Sequence, residues 1–274
     1  MMNKLGLIAG EGSMPLAIAK KAVEKGYEVF VLGLKGNAKE NDYKPYAAKF
    51  KMIRLGQLGT GIDFFKSCGV EKFVMAGRVQ HTSIFTNMMP DMRGAKFLAS
   101  LKSMQTKHIL ESLIAEIAKE GLICENSALF LEDFFPKRGL LTKRAPTPEE
   151  QQSIDYGYKI AKEIARMDIG LTCVVSQQAV MAVEGMEGTD RCIERAGELY
   201  KQNADKDSPI VVVKVARPNQ DNRYDLPVIG QRTLKTMHKA GISVLAFEAD
   251  KTLVMELPDV IKLADKYNMC VVAK

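Results

Sequence analysis

The sequence of 274 residues has no tryptophan, only three histidines and no long apolar run. No stretch approaches the 20 or so consecutive apolar residues of a membrane span, so no transmembrane helix is predicted. The first apolar run, "LGLIAG", ends at Glu11 and is too short for a signal peptide. Five scattered cysteines form no Cys-x-x-Cys pair. They indicate reduced thiols and a cytoplasmic protein.

The histidines argue against a zinc site. His81, His108 and His238 lie far apart in the chain, and no cysteine is near enough to complete a ligand set. A structural role is favoured for His238, which follows a helical pattern. Histidine-rich two-metal chemistry is therefore not predicted.

The charge is mildly basic, with a formal net charge of +6 and a pI of about 8.9. Basic and acidic residues are interspersed, which suits anionic ligands or weak attraction to an anionic membrane surface. A nucleic-acid-binding protein usually shows a denser basic stripe and a recognisable module, and neither is present. Nucleic acid is therefore not a predicted partner.

Apolar runs alternate with helical patterns in the first half of the chain, which predicts a parallel sheet with helices on its faces. We expect an N-terminal Rossmann-like domain over residues 1–136. Its predicted strands are 4–9, 27–34, 49–54 and 72–77, and its predicted helices are 15–25, 62–68, 95–102 and 109–119.

A polar stretch at 137–147 reads as a linker, and we expect a C-terminal mixed-sheet α/β domain over 148–274. Thr147 and Glu150 predict a capping box, with Pro148 at the first helical position. The fold class is thus α/β with two domains. The second half has predicted strands at 172–176, 179–184, 210–216 and 242–248, and predicted helices from about 190 to 201, at 231–240 and at 258–267.

Gly10, Gly12 and Pro15 form a G-x-G-x-x-P pattern between the first strand and the first helix. Such a turn can admit a phosphate to the helix N-terminus, and Ser13 lies within it. The alternative is a tight turn that binds nothing. NAD is not predicted, because Pro15 replaces the third glycine of the dinucleotide fingerprint and the second strand ends without an acidic residue. Arg78, after the fourth strand, can meet an anion or lie in solvent.

Two acidic loops follow strands of the second half. Glu184 ends a strand, and Thr189 and Asp190 begin a helix. Helix capping explains Thr189 and Asp190 but not Glu184. A carboxylate beside a helix N-terminus also suits a hard cation and a phosphate.

The stretch "RPNQDNRYDLPVIGQRT" carries Asp221, Arg223 and Asp225 between two prolines. These carboxylates can hold Mg²⁺ or act as a base towards water, while Lys214 and Arg223 can neutralise phosphate charge. A solvated loop with internal ion pairs, or a structural Asp–Arg pair, explains the same residues.

The motifs "LGLIAGEGSMP", "AGRV", "APTPEE", "MDIG", "AVEGMEGTD" and "QDNRYDLPVIGQRT" occur in this order along the chain. Together they closely resemble the LpxI-type UDP-2,3-diacylglucosamine pyrophosphatases of lipid A synthesis. The resemblance implies a substrate held between two domains and a divalent metal, Mg²⁺ or Mn²⁺. It implies UMP and 2,3-diacylglucosamine 1-phosphate as products. Because such a substrate is an amphiphile and the basic charge attracts anionic lipid, we expect a cytoplasmic enzyme with weak, reversible association with the inner membrane.

The resemblance and the loops lead to one set of expected site residues. Asp225 is the first candidate for the catalytic carboxylate. The other catalytic candidates are Asp221 and Glu184; the expected metal ligands are Asp225, Asp221, Glu184 and Asp190; the expected substrate-binding residues are Gly10, Gly12, Ser13, Arg78, Thr189, Lys214 and Arg223. Met88, Met89 and Met92 can line an acyl groove, although ordinary packing also explains them.

The chain departs from the family pattern at Glu11, at Lys107-His108 and at Leu171. These departures bear on details of substrate contact. Two other functions stay open: a hydrolase of another nucleotide-sugar, and a non-catalytic protein that binds a nucleotide or lipid. A homodimer is a further expectation.

Overall fold

The computed structural model describes residues 3–79, 88–103, 105–202 and 208–274. His81 lies outside these residues. The chain divides into two compact units. An N-terminal unit comprises Met1–Leu131 with Asn222–Tyr224, and a C-terminal unit comprises Glu132–Asp221 with Asp225–Lys274.

The described residues of the N-terminal unit form a five-stranded sheet in the order β3-β2-β1-β4-β5, with every neighbouring pair parallel. Its strands are β1 (Asn3–Ala9), β2 (Tyr27–Leu34), β3 (Ala47–Ile53), β4 (Lys72–Ala76) and β5 (Ile123–Cys124). The predicted Rossmann-like parallel sheet is confirmed. The strand order reverses between β1 and β4. In open sheets of this kind, ligands bind beyond the carboxyl ends of the strands at such a reversal.

Helices cover this sheet because its central strands are apolar on both sides. The helices are α1 (Met14–Glu24), α2 (Glu40–Tyr43), α3 (Leu58–Ser67), α4 (Met92–Ser100) and α5 (Thr106–Ala118). Phe65 of α3 and Phe73 of β4 pack in one buried cluster, with ring centroids 6.0 Å apart. Ile117 of α5 belongs to the same cluster. Helices α3 and α5, which are distant in the sequence, therefore pack against the same apolar core.

The predicted mixed sheet of the C-terminal unit is confirmed; its described residues form six strands in the order β6-β13-β11-β9-β7-β8. Its strands are β6 (Gly139–Leu140), β7 (Thr172–Ser176), β8 (Ala179–Val183), β9 (Ile210–Lys214), β11 (Val244–Phe247) and β13 (Cys270–Ala273). The central three, β9, β11 and β13, are parallel, and β6 and β7 run antiparallel to their neighbours. Strand β6 falls within the stretch that the sequence analysis assigns to a linker. A separate parallel pair joins β10 (Val228–Ile229) to β12 (Leu253–Val254).

The helices of this unit are α6 (Pro148–Arg166), α7 (Thr189–Gln202), α8 (Gln231–Ala240) and α9 (Leu257–Lys266). The predicted capping box at α6 is confirmed. The Thr147 hydroxyl accepts from the Glu150 N–H, and the Glu150 carboxylate accepts from the Thr147 N–H at 2.9 Å. Arg144 adds two hydrogen bonds to the same carboxylate, at 2.7 and 2.8 Å.

Two cores lie on opposite faces of the six-stranded sheet, because successive strand residues point to opposite sides. Val174 and Val212 lie in a cluster with Cys192 and Ile193 of α7. Their neighbours along the strands, Val175 and Val213 among them, lie in a second cluster, with Ile154 and Ala161 of α6. The face that carries α7 is the face on which the polar groups described below are arranged.

All five cysteines are buried and free. Burial raises the pKa of Cys173 and of Cys192 to about 12 and that of Cys270 to about 11. Among the residues that the model describes, no helix combines the length and the apolar composition that crossing a bilayer requires.

Gly157 marks the closest approach of α6 to the sheet. A Cβ at this position would lie 2.8 Å from Val213 Cγ2 and 2.9 Å from Val175 Cγ2. For Gly157→Ala, overpacking costs about 1–3 kcal/mol and exceeds the helix-propensity gain of about 1 kcal/mol, so we expect the free energy of unfolding to fall by up to about 2 kcal/mol. Urea unfolding measures this, with exposed Lys159→Ala as the control on the same helix. A Gly157→Ala protein as stable as the control would contradict the close packing.

Candidate functional site

The loops that follow β1 and β4 are joined by their backbones. Gly10 N–H donates to the Ala76 carbonyl at 2.8 Å, and Glu11 and Arg78 exchange two backbone hydrogen bonds of 2.9 Å. A Cβ on Gly10 would lie 2.9 Å from the Arg78 carbonyl oxygen. Glycine is therefore required at position 10 by the packing of the two loops, which is the tight-turn explanation.

Gly12 differs from Gly10. Its φ of 111° disfavours any residue with a Cβ, and among the described residues a Cβ there would meet no other atom within 4 Å. Ser13 precedes α1 without a side-chain cap hydrogen bond, and the first turn of α1 has no acidic residue. The start of this helix therefore offers backbone N–H groups and a positive dipole end beside open space, as an anion requires. The ligand itself stays a prediction.

Arg78 is held by the residue that departs from the family pattern. Its guanidinium lies 3.4 Å from the carboxylate of Glu11, and the side-chain exposures are 56% for Arg78 and 37% for Glu11. The pair places a negative charge beside the arginine expected to meet an anion. An anionic ligand at Arg78 has to compete with Glu11.

In the C-terminal unit a buried lysine lies at the end of β9. Lys214 is only 7% exposed, and its ammonium donates to the Thr189 hydroxyl at 2.7 Å. The same hydroxyl donates to Glu184 Oε1 at 2.9 Å, and the other carboxylate oxygen of Glu184 accepts from the Leu171 N–H at 3.3 Å. The structure thus joins three of the expected site residues in one chain of hydrogen bonds.

The charges around Lys214 oppose the cost of burying it. Burial lowers the pKa of Lys214, and attraction to Glu184, Asp190 and Asp225 acts in the opposite direction. Three carboxylates selected from the sequence therefore act on a single ammonium group. We call Lys214, Thr189, Glu184, Asp190 and Asp225 the lysine cluster.

Two arginines orient the outer carboxylates of the lysine cluster. Arg232, at the start of α8, donates to Asp190 at 2.6 Å. Arg217 donates both to Asp225 and to Asp168. Arg217, Arg232 and Asp168 were not predicted from the sequence as site residues. The motif "MDIG" contains Asp168, but nothing in its local pattern indicates Arg217 as its partner.

Arg223 has a different place from Arg217. It belongs to Asn222–Tyr224, the segment that packs with the N-terminal unit, whereas Asp221 and Asp225 belong to the C-terminal unit. Within the N-terminal unit, the Asn222 carbonyl accepts from Ser127 at 3.0 Å, and the Tyr224 ring packs against the apolar core. The Asp225 N–H donates to the Asp221 carbonyl at 3.0 Å, which closes a turn around the segment.

Thr172 is a further polar residue that the sequence analysis did not single out. It lies directly opposite Lys214 in the β7–β9 pairing and is fully buried. Its hydroxyl is one of two buried side-chain oxygens without a hydrogen-bond partner among the described residues; the other belongs to Thr252. Thr172 is the first residue of an apolar strand, and nothing in the local sequence indicates that it lies opposite Lys214.

The carboxylates expected to bind a metal already have hydrogen-bond partners in the protein. Nowhere in residues 3–79, 88–103, 105–202 and 208–274 do three or more histidine, cysteine or acidic side chains form a group that could hold a metal. Glu184, Asp190 and Asp225 each accept hydrogen bonds from protein donors. An all-protein cage therefore does not fit. Mg²⁺ commonly uses only one or two carboxylates with substrate phosphates and waters, and the oxygen donors present suit that mode.

Two of the methionines expected near an acyl groove are exposed, and one of the histidines contacts an aromatic ring. Met89 and Met92 are 54% and 78% exposed, so they do not belong to the apolar core. His238 stacks on Tyr267 with ring centroids 3.9 Å apart, in agreement with the structural role favoured for it.

A Rossmann-like unit with an uncapped helix start, and a mixed-sheet unit with the lysine cluster at its strand ends, define a two-domain α/β protein. The family model of the LpxI N-terminal domain matches residues 4–134, and that of the LpxI C-terminal domain matches residues 137–272. The UDP-2,3-diacylglucosamine pyrophosphatase LpxI of Caulobacter vibrioides (strain ATCC 19089 / CIP 103742 / CB 15) is 33% identical to this chain. The alignment covers 98% of this chain and 97% of that protein. The chain belongs to the LpxI family.

Two solved structures align with this chain at low TM-scores. Biotin carboxylase of Campylobacter jejuni aligns with 72% of this chain and 42% of its own, with a TM-score of 0.28 and 11% identity. N5-carboxyaminoimidazole synthetase of Staphylococcus aureus aligns with 64% of this chain and 38% of its own, with a TM-score of 0.26 and 12% identity. Both alignments extend over less than half of those chains.

The Thr189 hydroxyl should stabilise the lysine cluster, since it accepts from Lys214 and donates to Glu184. Thr189→Val keeps the shape but removes both contacts, and hydrogen bonds to charged groups contribute about 1.5–3 kcal/mol each. We expect the free energy of unfolding in urea to fall by at least the contribution of one such bond, about 1.5–3 kcal/mol. Thr189→Ser, which keeps the hydroxyl, serves as the control. Equal stability of the two variants would show that the hydroxyl contributes nothing.

Proposed function

We propose that this chain hydrolyses the pyrophosphate of UDP-2,3-diacylglucosamine to UMP and 2,3-diacylglucosamine 1-phosphate. The observation that carries the proposal is the full-length similarity to the Caulobacter pyrophosphatase, together with both family models. The lysine cluster supports it, because cleavage of a phosphoanhydride requires fixed positive charge and a carboxylate that can orient water.

The lysine cluster supplies these groups with little freedom to move. Asp225 is the proposed base or metal ligand, and its contact with Arg217 fixes the direction of the carboxylate. Lys214 is the proposed partner of the phosphate charge, and the Thr189 hydroxyl holds its ammonium. Asp221 and Arg223 are proposed to act from the same loop. Fixed groups of this kind lower the barrier because they need no reorganisation during the reaction.

Mg²⁺ or Mn²⁺ is the proposed cofactor. Glu184, Asp190, Asp225 and Asp221 supply the oxygen atoms that would hold it, with one or two of them sufficient when phosphate oxygens also bind. The ion would polarise a phosphoryl oxygen and lower the pKa of a bound water.

The N-terminal unit is proposed to bind the nucleotide end of the substrate. Gly12 and Ser13 border open space at the start of α1, and Arg78 carries the nearby positive charge. Gly10 shapes this loop through its packing on Arg78. A homodimer, and association with anionic vesicles that fades as salt is added, both stay predictions.

The substrate assay tests the proposal directly. We expect UDP-2,3-diacylglucosamine with Mg²⁺ to yield UMP and the sugar 1-phosphate, identified by mass spectrometry. Asp225→Asn should lower turnover by about 10²–10⁴-fold, the loss typical of a general acid–base group. Since Asp225 lies in a loop, the fold should survive.

Asp250→Asn is the matched control for that variant. Asp250 is an exposed aspartate of the same unit that pairs with Lys137, and its positive φ suits asparagine. Near-normal turnover of Asp225→Asn would remove Asp225 from the mechanism. Cleavage of UDP-GlcNAc in preference to the acylated substrate would indicate another nucleotide-sugar hydrolase. Tight binding without any product would indicate a non-catalytic binding protein.

The bond that breaks can be identified with isotopic water. We propose that water attacks the phosphorus nearer the sugar, with UMP as the leaving group, so that attacking and leaving oxygens lie in line. Hydrolysis in ¹⁸O-labelled water should then place the label in the sugar 1-phosphate. Label in UMP would show attack on the other phosphorus.

A further inference from the structure

The backbone of Ala216, two residues beyond Lys214, is held by side chains rather than by another strand. The N–H of Ala216 donates to Glu248 Oε2 at 3.0 Å, and the carbonyl of Ala216 accepts from Lys162 Nζ at 3.3 Å. Ala216 is almost fully buried. The backbone N–H and the backbone carbonyl of Ala216 are therefore satisfied by one acidic and one basic side chain.

These two side chains also bind each other. Lys162 Nζ donates to both carboxylate oxygens of Glu248, at 3.0 and 3.1 Å, and Lys251 donates to one of them at 2.9 Å. The Glu248 residue is 6% exposed. Charge-assisted hydrogen bonds with little access to water are stronger than neutral ones and more restricted in geometry.

Glu248 contacts the end of β9 through its backbone as well. Its N–H donates to the Lys214 carbonyl at 3.0 Å, where the β9–β11 ladder ends. The position of Glu248 thus fixes the chain on both sides of Val215. On the opposite face of the sheet, the Lys214 side chain contacts Thr189.

The peptide held in this way joins two residues of the proposed site. Lys214 lies two residues before Ala216, and Arg217, which contacts Asp225, follows it directly. A small shift of Ala216 would change the direction of both side chains. We propose that the Lys162–Glu248 pair is a positioning pair, which sets Lys214 and Arg217 for the hydrolysis and does not touch the substrate. This inference rests on the proposed function.

A matched ion pair lies at the N-terminal end of α6, the helix that carries Lys162. Arg144 and Glu150 also form a two-bond ion pair, and their side-chain exposures of 23% and 9% resemble the 27% and 8% of Lys162 and Glu248. Arg144 reaches Ser243 and the Asn268 carbonyl, and Glu150 belongs to the capping box of α6. The Arg144–Glu150 pair therefore stabilises the unit without contacting the chain between Lys214 and Arg217.

The experiment compares Lys162→Met with Arg144→Met in the full chain, with UDP-2,3-diacylglucosamine and Mg²⁺. Both variants should lose stability in urea. For Lys162→Met we expect kcat to fall by about 10–100-fold with KM within about twofold, since small misplacements of reacting groups cost up to about 10²-fold. For Arg144→Met, kcat should stay within about twofold of the unchanged protein. Lys162→Arg keeps the charge and the donors and should recover most of the kcat lost by Lys162→Met.

Amide hydrogen exchange gives a readout that does not depend on turnover. The peptide 215–226 should exchange faster in Lys162→Met and in Glu248→Gln, and at the original rate in Arg144→Met. If both 162 and 144 variants lose the same kcat, or if exchange at 215–226 is unchanged by Lys162→Met, the positioning role is wrong. Should the unchanged protein release no UMP, the proposed function fails, and hydrogen exchange alone decides whether the pair holds this segment.

Discussion

The burial of one ammonium group governs the arrangement of the C-terminal unit. Removing a charged lysine from water is costly unless hydrogen bonds and opposite charges replace the lost hydration. For Lys214 the replacement comes from the start of α7, which provides Thr189 and Asp190, and from the end of β8, which provides Glu184. Because these groups have to meet at one edge of the sheet, the helix start and the strand ends are fixed relative to each other. The site and the fold of this unit therefore share the same contacts.

Much of the fold could be predicted from the sequence, because strands buried on both faces give unbroken apolar runs and the capping box of α6 has a local signature. The short elements β5, β6 and α2 escaped, since two to four residues carry no periodicity. In the site, Glu184 and Asp190 were predictable as acidic residues at element ends. The contact of Arg217 with Asp225 was not predictable, because it depends on the path of the loop. Thr172 was hidden for a related reason: its place opposite Lys214 is set by pairing between strands distant in sequence.

The glycines of one motif illustrate how similar letters serve different purposes. Gly10 is needed because another backbone lies against it, whereas Gly12 is needed for its positive φ and faces open space. Of the two glycines, only Gly12 leaves room for a ligand, since a phosphate can approach only where space exists. The tight-turn explanation therefore applies to Gly10, while a phosphate beside Gly12 stays a prediction. Glu11 lies between them and brings its own negative charge to Arg78.

The buried sulfur atoms have a practical consequence. Only the thiolate reacts readily with maleimides and iodoacetamides, and all five native thiols are enclosed, three of them with a raised pKa. An added cysteine on an exposed surface position would therefore be the fast-reacting thiol of the folded protein. Fluorophores or spin labels can be attached there one at a time without replacing any native cysteine. Distances between the two units in solution thus become measurable on a chain with its cores intact.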